Sequence, residues 1–166
     1  MDITWKAILR RQFGAAIEML ENAVAACPRE LWGDRERRPE FWYVVYHTLF
    51  FLDLYLSGSV EGFSPPAPYT LDELDAAGVM PERVYTKEEM QSYLAHGREK
   101  CRVVLEGLTE ERARGRCVFG WGEMSFGELL LDNMRHVQHH AAQLNLILRQ
   151  QADSAPRWVA QAKGEL

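Results

Sequence analysis

The sequence predicts an all-α protein, a four-helix bundle in a single domain over residues 1–166, and three observations carry that expectation. Apolar residues recur at helical spacing through four long segments. Three segments open on a Ser or Thr followed three residues later by Glu, a pairing that satisfies the orphan backbone donors of a helix start. No stretch alternates convincingly as a strand does, and only Arg116 to Trp121 reads as extended.

The first helix runs from about Asp2 to Ala26. Leu9, Phe13, Ile17, Leu20 and Val24 share one face, Asp2 is placed to cap the start, and Pro28 ends it. Pro39 opens the second helix, FWYVVYHTLFFLDLYL, which continues to about Leu56. It is apolar on nearly every side, which places it among other helices at the centre of the fold. Thr70–Glu73 predicts a short helix, TLDELDAAG, stopped by Gly78. Thr86–Glu89 opens the third long helix, with Met90, Leu94, Cys101, Val104, Leu105 and Leu108 on one face. Ser125–Glu128 opens the fourth, and a last short helix is expected after Ser154, with Pro156 in its first turn. The Pro-rich link between the second and third long helices (it includes GFSPPAPYT) is about thirty residues, where antiparallel neighbours need only about 2–8. Such a link can run back along the bundle and leave helices two and three parallel, in up-down-down-up order.

A formal charge of −5 argues against nucleic acid, which is bound by neutralising phosphates. The one basic cluster, Arg35, Arg37 and Arg38, is interleaved with Asp34 and Glu36 and reads as a solvated loop. Cys27, Cys101 and Cys117 are an odd set without CxxC spacing, as free thiols in a reducing compartment would be. The opening MDITWKAILRRQF lacks the charged end and apolar run of a signal peptide. The stretch from Phe41 to Leu56 is too short for a bilayer and carries His47 and Asp53. The expectation is a cytoplasmic protein with no membrane or nucleic-acid partner.

Function is legible in the histidines. His136 and His140 stand four apart in LLLDNMRHVQHHAAQLNLILR, so both imidazoles lie on one helix face and can reach one metal ion. That helix packs through Phe126, Leu130, Val137, Ala141, Leu144 and Leu148. His140 falls just inside the edge of this stripe, and His136 lies about 40° further round. His139 turns about 60° beyond His136, toward the polar side with Arg135. His96 falls on the outer flank of the third helix as a solvated residue. His47 sits mid-way along the apolar second helix, where an unpaired polar group costs roughly 2–7 kcal/mol. HxxxH alone is a weak signal, and a lone buried histidine is usually just hydrogen-bonded, but the two anomalies explain each other. Asp132, Gln143 and Tyr43 are placed to line or support the site, since metal-bound imidazoles usually donate their other N–H to a nearby acceptor.

With those residues in view, the chain resembles the DinB superfamily of damage-inducible-type, YfiT-like helical bundles. The resemblance rests on the buried-helix histidine, the long second link and HVQHHAAQLNLILR, which matches an HxxxHxxQ ending. It implies an up-down-down-up bundle, a divalent metal held by His47, His136 and His140, and a homodimer. It also implies, for some relatives, transfer of low-molecular-weight thiols to electrophiles. His139 is an extra histidine beside the motif.

The functional expectation is a metal-dependent enzyme, a thiol S-transferase or hydrolase, acting on a small molecule through zinc or nickel. No catalytic side chain beyond the metal ligands is identified, and the cysteines have no histidine at a telling spacing. The alternative is a metal-stabilised or ligand-binding bundle without catalysis, in stress response. Leu131 and Leu146 fall on or near the polar side of the last long helix, where a homodimer would use them.

Overall fold

The apolar faces read from the sequence are where the chain folds into its long helices. The computed structural model describes residues 3–162, 164 and 166. In chain order it forms α1 (Ile3–Ala26), α2 (Arg29–Trp32), α3 (Phe41–Ser57), α4 (Lys87–Glu106), α5 (Glu110–Arg114), β1 (Arg116–Phe119), β2 (Gly122–Ser125) and α6 (Phe126–Ala152). The protein is therefore mostly helical, with one small antiparallel hairpin in which Arg116 pairs Ser125 and Phe119 pairs Gly122. The expected cap Asp2 lies outside the described residues.

Helix α3 lies against both α4 and α6, and α1 packs against the same two helices. Phe41, Trp42, Val45, Tyr46, Phe50, Leu52 and Leu54 are all fully buried, so the helix with no polar face is indeed the one enclosed by others. It ends at Gly58, which takes a left-handed φ of 79° and donates its N–H to the Tyr55 carbonyl. Where α4 passes α3, Gly97 allows the contact; a Cβ there would come within 2.8 Å of a Leu52 methyl.

Two of the three expected capping boxes form. Thr86 with Glu89 starts α4, and Ser125 with Glu128 starts α6, each with both reciprocal hydrogen bonds. The third does not. Thr70–Glu73 opens no helix; only a single 3-10 turn forms at Asp72–Leu74. The backbone there is claimed by the core instead, because the Tyr46 hydroxyl donates to the Thr70 carbonyl at 3.1 Å. Tyr69 beside it stacks flat on Tyr93, 4.1 Å between centroids, and donates to the Glu89 carbonyl. These anchors press the long link onto α3 and α4. The short helix expected after Ser154 is also absent: 154–162 is non-helical and lies along α1, with Ala162 N–H donating to the Arg11 carbonyl and Gln12 to the Ala160 carbonyl. Of the stretch expected to be extended, Arg116–Phe119 forms a strand, while Gly120 and Trp121 make the turn to the partner strand.

The arginine loop is solvated as expected, with Arg35, Glu36 and Arg38 exposed, and it is tied to the core through Glu40. Arg38 donates to the buried Glu40 carboxylate at 2.9 Å, and Glu40 also accepts from the Trp42 indole at 2.6 Å. No helix among the described residues is long and apolar enough to cross a membrane.

Candidate metal centre

Helix α6 runs for 27 residues from its capping box, long enough to carry His136 and His140 to the middle of α3. The inner face of α6 is buried as the wheel requires, through Phe126, Leu130, Val137, Ala141, Leu144 and Leu148. His47, on α3, meets them. His136 Nε2 lies 3.3 Å from His47 Nε2 and 3.1 Å from His140 Nε2. One ring nitrogen from each of the three histidines falls within 4.8 Å of the others. His139 and His96 stay out of this cluster.

The outward nitrogens are held. His47 Nδ1 is 2.7 Å from Glu73 Oε2, and the Glu73 carboxylate is almost wholly buried. His140 Nδ1 is 2.7 Å from Gln143 Oε1, while the Gln143 amide nitrogen is 3.0 Å from His139 Nε2. His139 thus braces the glutamine that braces His140. Tyr43, one turn before His47, sets its ring 6.3 Å from the imidazole. Burial, and then the Glu73 charge, push its hydroxyl pKa above the usual phenol value. Asp132 faces Arg135 at 3.6 Å, and the buried Nδ1 of His136 has no hydrogen-bond partner among the described residues.

Glu73 is the residue that sequence reasoning missed in this role. Its spacing from Thr70 gave it a complete alternative explanation as a capping carboxylate. A signal that could have found it was the demand of the apolar α3 helix for a partner to His47.

The hydrogen-bond pattern tests whether these residues fit a cation. The His47 Nδ1–H donates to Glu73 and the His140 Nδ1–H donates to Gln143, so in this tautomer the Nε2 atom of each ring carries its lone pair. Both lone pairs face His136 Nε2. Burial, and then the neighbouring histidines, hold His136 down at about 3, while burial chiefly holds His140 at about 4, so neither of these two rings carries a positive charge near neutral pH. Nitrogens around one zinc at about 2.0–2.1 Å in tetrahedral array stand roughly 3.3 Å apart, close to the 3.3 and 3.1 Å at which His136 meets His47 and His140. The donor set fits a divalent cation, and a carboxylate and an amide orient two of its rings in the manner usual for metal-bound imidazoles.

The surroundings are asymmetric. Phe51, Tyr55 and Trp121 crowd one side, with Phe51 4.8 Å from the His47 ring and 5.6 Å from that of His136. Burial, and then the charge of Asp132, raise Tyr55 to about 12. On the α1–α6 seam an open cleft of about 750 Å³ takes His136 and His139 into its wall, with Ala15, Arg135 and Trp158. All three cysteines are buried, and burial pushes the Cys27 thiol up to about 12, which leaves it protonated and inert.

Fold and site together define a helical protein with a three-imidazole centre on its two central helices. The family model described as the DinB superfamily matches residues 12–144, a span that contains all three histidines, and the chain belongs to that superfamily. No curated protein and no solved structure matches it.

Proposed function

We propose that the protein is a metal-dependent enzyme of the thiol S-transferase or hydrolase type, with His47, His136 and His140 as the ligands of one divalent ion. The observation that carries this reading is the convergence of three Nε2 atoms at 3.1 and 3.3 Å, with two of the rings fixed from behind by Glu73 and Gln143. The chemistry supplied there by zinc or nickel is Lewis acidity, which favours the deprotonated form of a thiol or water and polarises an electrophile. Glu73 holds the proton on His47 Nδ1 and so keeps Nε2 free to bind. Gln143 does the same for His140. Phe51 and Tyr55 exclude water from one flank. The chain's own thiols are buried, so the nucleophile is a low-molecular-weight thiol or water that enters from outside. Among the described residues no fourth His, Cys, Asp or Glu joins the group, which supports a centre with room for a small-molecule substrate.

The same reading includes a cytoplasmic homodimer of one-domain chains in up-down-down-up order. Leu131 and Leu146, 46% and 53% exposed on α6, support the dimer. The test is metal analysis and turnover of electrophiles with several small thiols, on zinc- or nickel-loaded and on chelated protein. One ion per chain and turnover lost on chelation are the expected results. Metal that raises the melting temperature without turnover would assign the protein to the non-catalytic, metal-stabilised class.

A further inference from the structure

The hairpin between α5 and α6 ends in a tryptophan that the core does not use. Trp121 stands at the β1–β2 turn, 54% exposed, with its ring stacked on Phe119 at 5.2 Å between centroids and 17° between planes. Its other ring neighbours are Phe51 at 5.9 Å and Tyr55 at 6.2 Å. Those two rings border the histidine cluster: Phe51 is 4.8 Å from His47, and Tyr55 is 6.0 Å from His136. An unbroken run of aromatic rings therefore leads from solvent to the three Nε2 atoms. A tryptophan presents roughly 150–250 Å² of surface, so one left half exposed keeps on the order of 100 Å² of apolar area in water. The ring of His47 itself is not sealed; its side chain remains 29% exposed.

We propose that Phe51, Tyr55 and Trp121 form a recognition wall for a flat aromatic group, carried by the small molecule whose anionic head binds at the three-histidine centre. The inference rests on the metal-binding reading above and adds the substrate class: an aromatic or conjugated acid or electrophile, with its ring one or two bonds from the reacting head. Neutral imidazoles leave the double charge of the ion uncompensated except by Glu73, which favours an anionic head. The rings beside it offer faces and edges for offset or edge-on packing, the arrangements aromatic pairs prefer. Trp121 is the most exposed of the three rings, so it sets the specificity while leaving the centre intact.

The experiment is a calorimetric titration of zinc-loaded protein with benzohydroxamate and with acetohydroxamate, which share a metal-seeking head and differ in phenyl against methyl. Burial of the phenyl ring is expected to make the first bind about tenfold or more tighter in the wild type. In Trp121→Ala that ratio is expected to fall to about threefold or less, with zinc affinity unchanged. Trp158→Ala, which alters the cleft on the α1–α6 seam, is expected to keep the wild-type ratio. A wild-type ratio near one, or a ratio that falls in Trp158→Ala and not in Trp121→Ala, overturns the wall. A change of molecular mass in Trp121→Ala by light scattering assigns the ring to a contact between copies, and overturns it too. Failure of the wild type to take up zinc brings down the metal-binding reading first, and the wall with it.

Discussion

On one face of α3, Glu73 meets His47; on another, Asp53 meets His96. Both carboxylates are buried and both approach an imidazole, at 2.7 Å and 3.4 Å. The difference lies in what answers the charge. Asp53 is bound by the Lys100 ammonium and the Tyr93 hydroxyl, and Lys100 also donates to the Asp53 carbonyl and to Ser57 Oγ. That network is electrostatically closed, and it ties α3 to α4. Glu73 has no lysine or arginine within ion-pair distance among the described residues. Beyond its histidine stand two more imidazoles with nitrogens aimed at the same point. The Asp53 pair, with its lysine, is thus a tie between helices, whereas the Glu73 pair leaves the metal-binding reading a place for a cation.

The largest effects should separate the two networks. His136→Ala or His140→Ala is expected to reduce zinc affinity by more than the roughly 100-fold that loss of an outer partner costs, with a small change in stability. His47→Ala is expected to do the same and also to destabilise, because it opens a cavity in the central helix. Asp53→Ala should do the reverse: about 3 kcal/mol of stability lost through the stranded lysine, with zinc binding retained. Equilibrium unfolding and metal titration on the same variants read both quantities. Zinc affinity that survives in His136→Ala and His140→Ala alike would make the histidines ordinary core and flank residues.

Glu73→Gln sharpens the comparison further. The amide can still accept from His47 Nδ1, but the charge that partly compensates the ion is gone. Zinc affinity is expected to fall about 10–100-fold while the thermal midpoint of the metal-free protein barely moves. An unchanged affinity would make Glu73 a loop anchor rather than part of the centre.

A smaller effect follows from pH. Burial holds His136 at about 3 and His140 at about 4 in the folded chain, below the roughly 6.5 of an unfolded histidine. The folded state therefore binds fewer protons than the unfolded state between these values. The stability of the metal-free protein should be level above about 6.5 and decline as pH falls from there toward 4. Melting curves across that window should show a shallower decline in His136→Ala than in the wild type. Equal slopes would remove the buried neutral imidazoles from the argument.

The smallest effect is expected at His139. Its Nε2 meets Gln143 and its ring packs edge-on against His140 at 5.1 Å without joining the ligand group, so His139→Ala should change zinc affinity by less than about threefold, as loss of a brace behind a brace. A loss as large as that at His140 would move the ligand pair by one residue.

Much of the site was legible because its signals are local. Helical geometry alone places His136 and His140 on one face, since i and i+4 neighbour each other whatever the rest of the chain does. The same geometry turns His139 away. The burial of α3 was legible because apolarity on every side leaves a helix no place but the interior. The capping boxes of α4 and α6 were likewise written in four-residue strings. What the string could not decide was competition between equally local motifs. Thr70–Glu73 reads as well as Ser125–Glu128 does, yet the Tyr46 hydroxyl takes the Thr70 carbonyl and His47 takes the Glu73 carboxylate. Both partners are more than twenty residues away. Asp53 with Lys100, and Trp121 over Phe51, arise in the same way, from helices and a hairpin brought together only by packing. Hydrophobic periodicity determined which segments became helices and which faces they buried; the partners of individual polar groups were settled by tertiary structure, because a side-chain hydrogen bond is chosen by distance in space and the sequence records only distance along the chain.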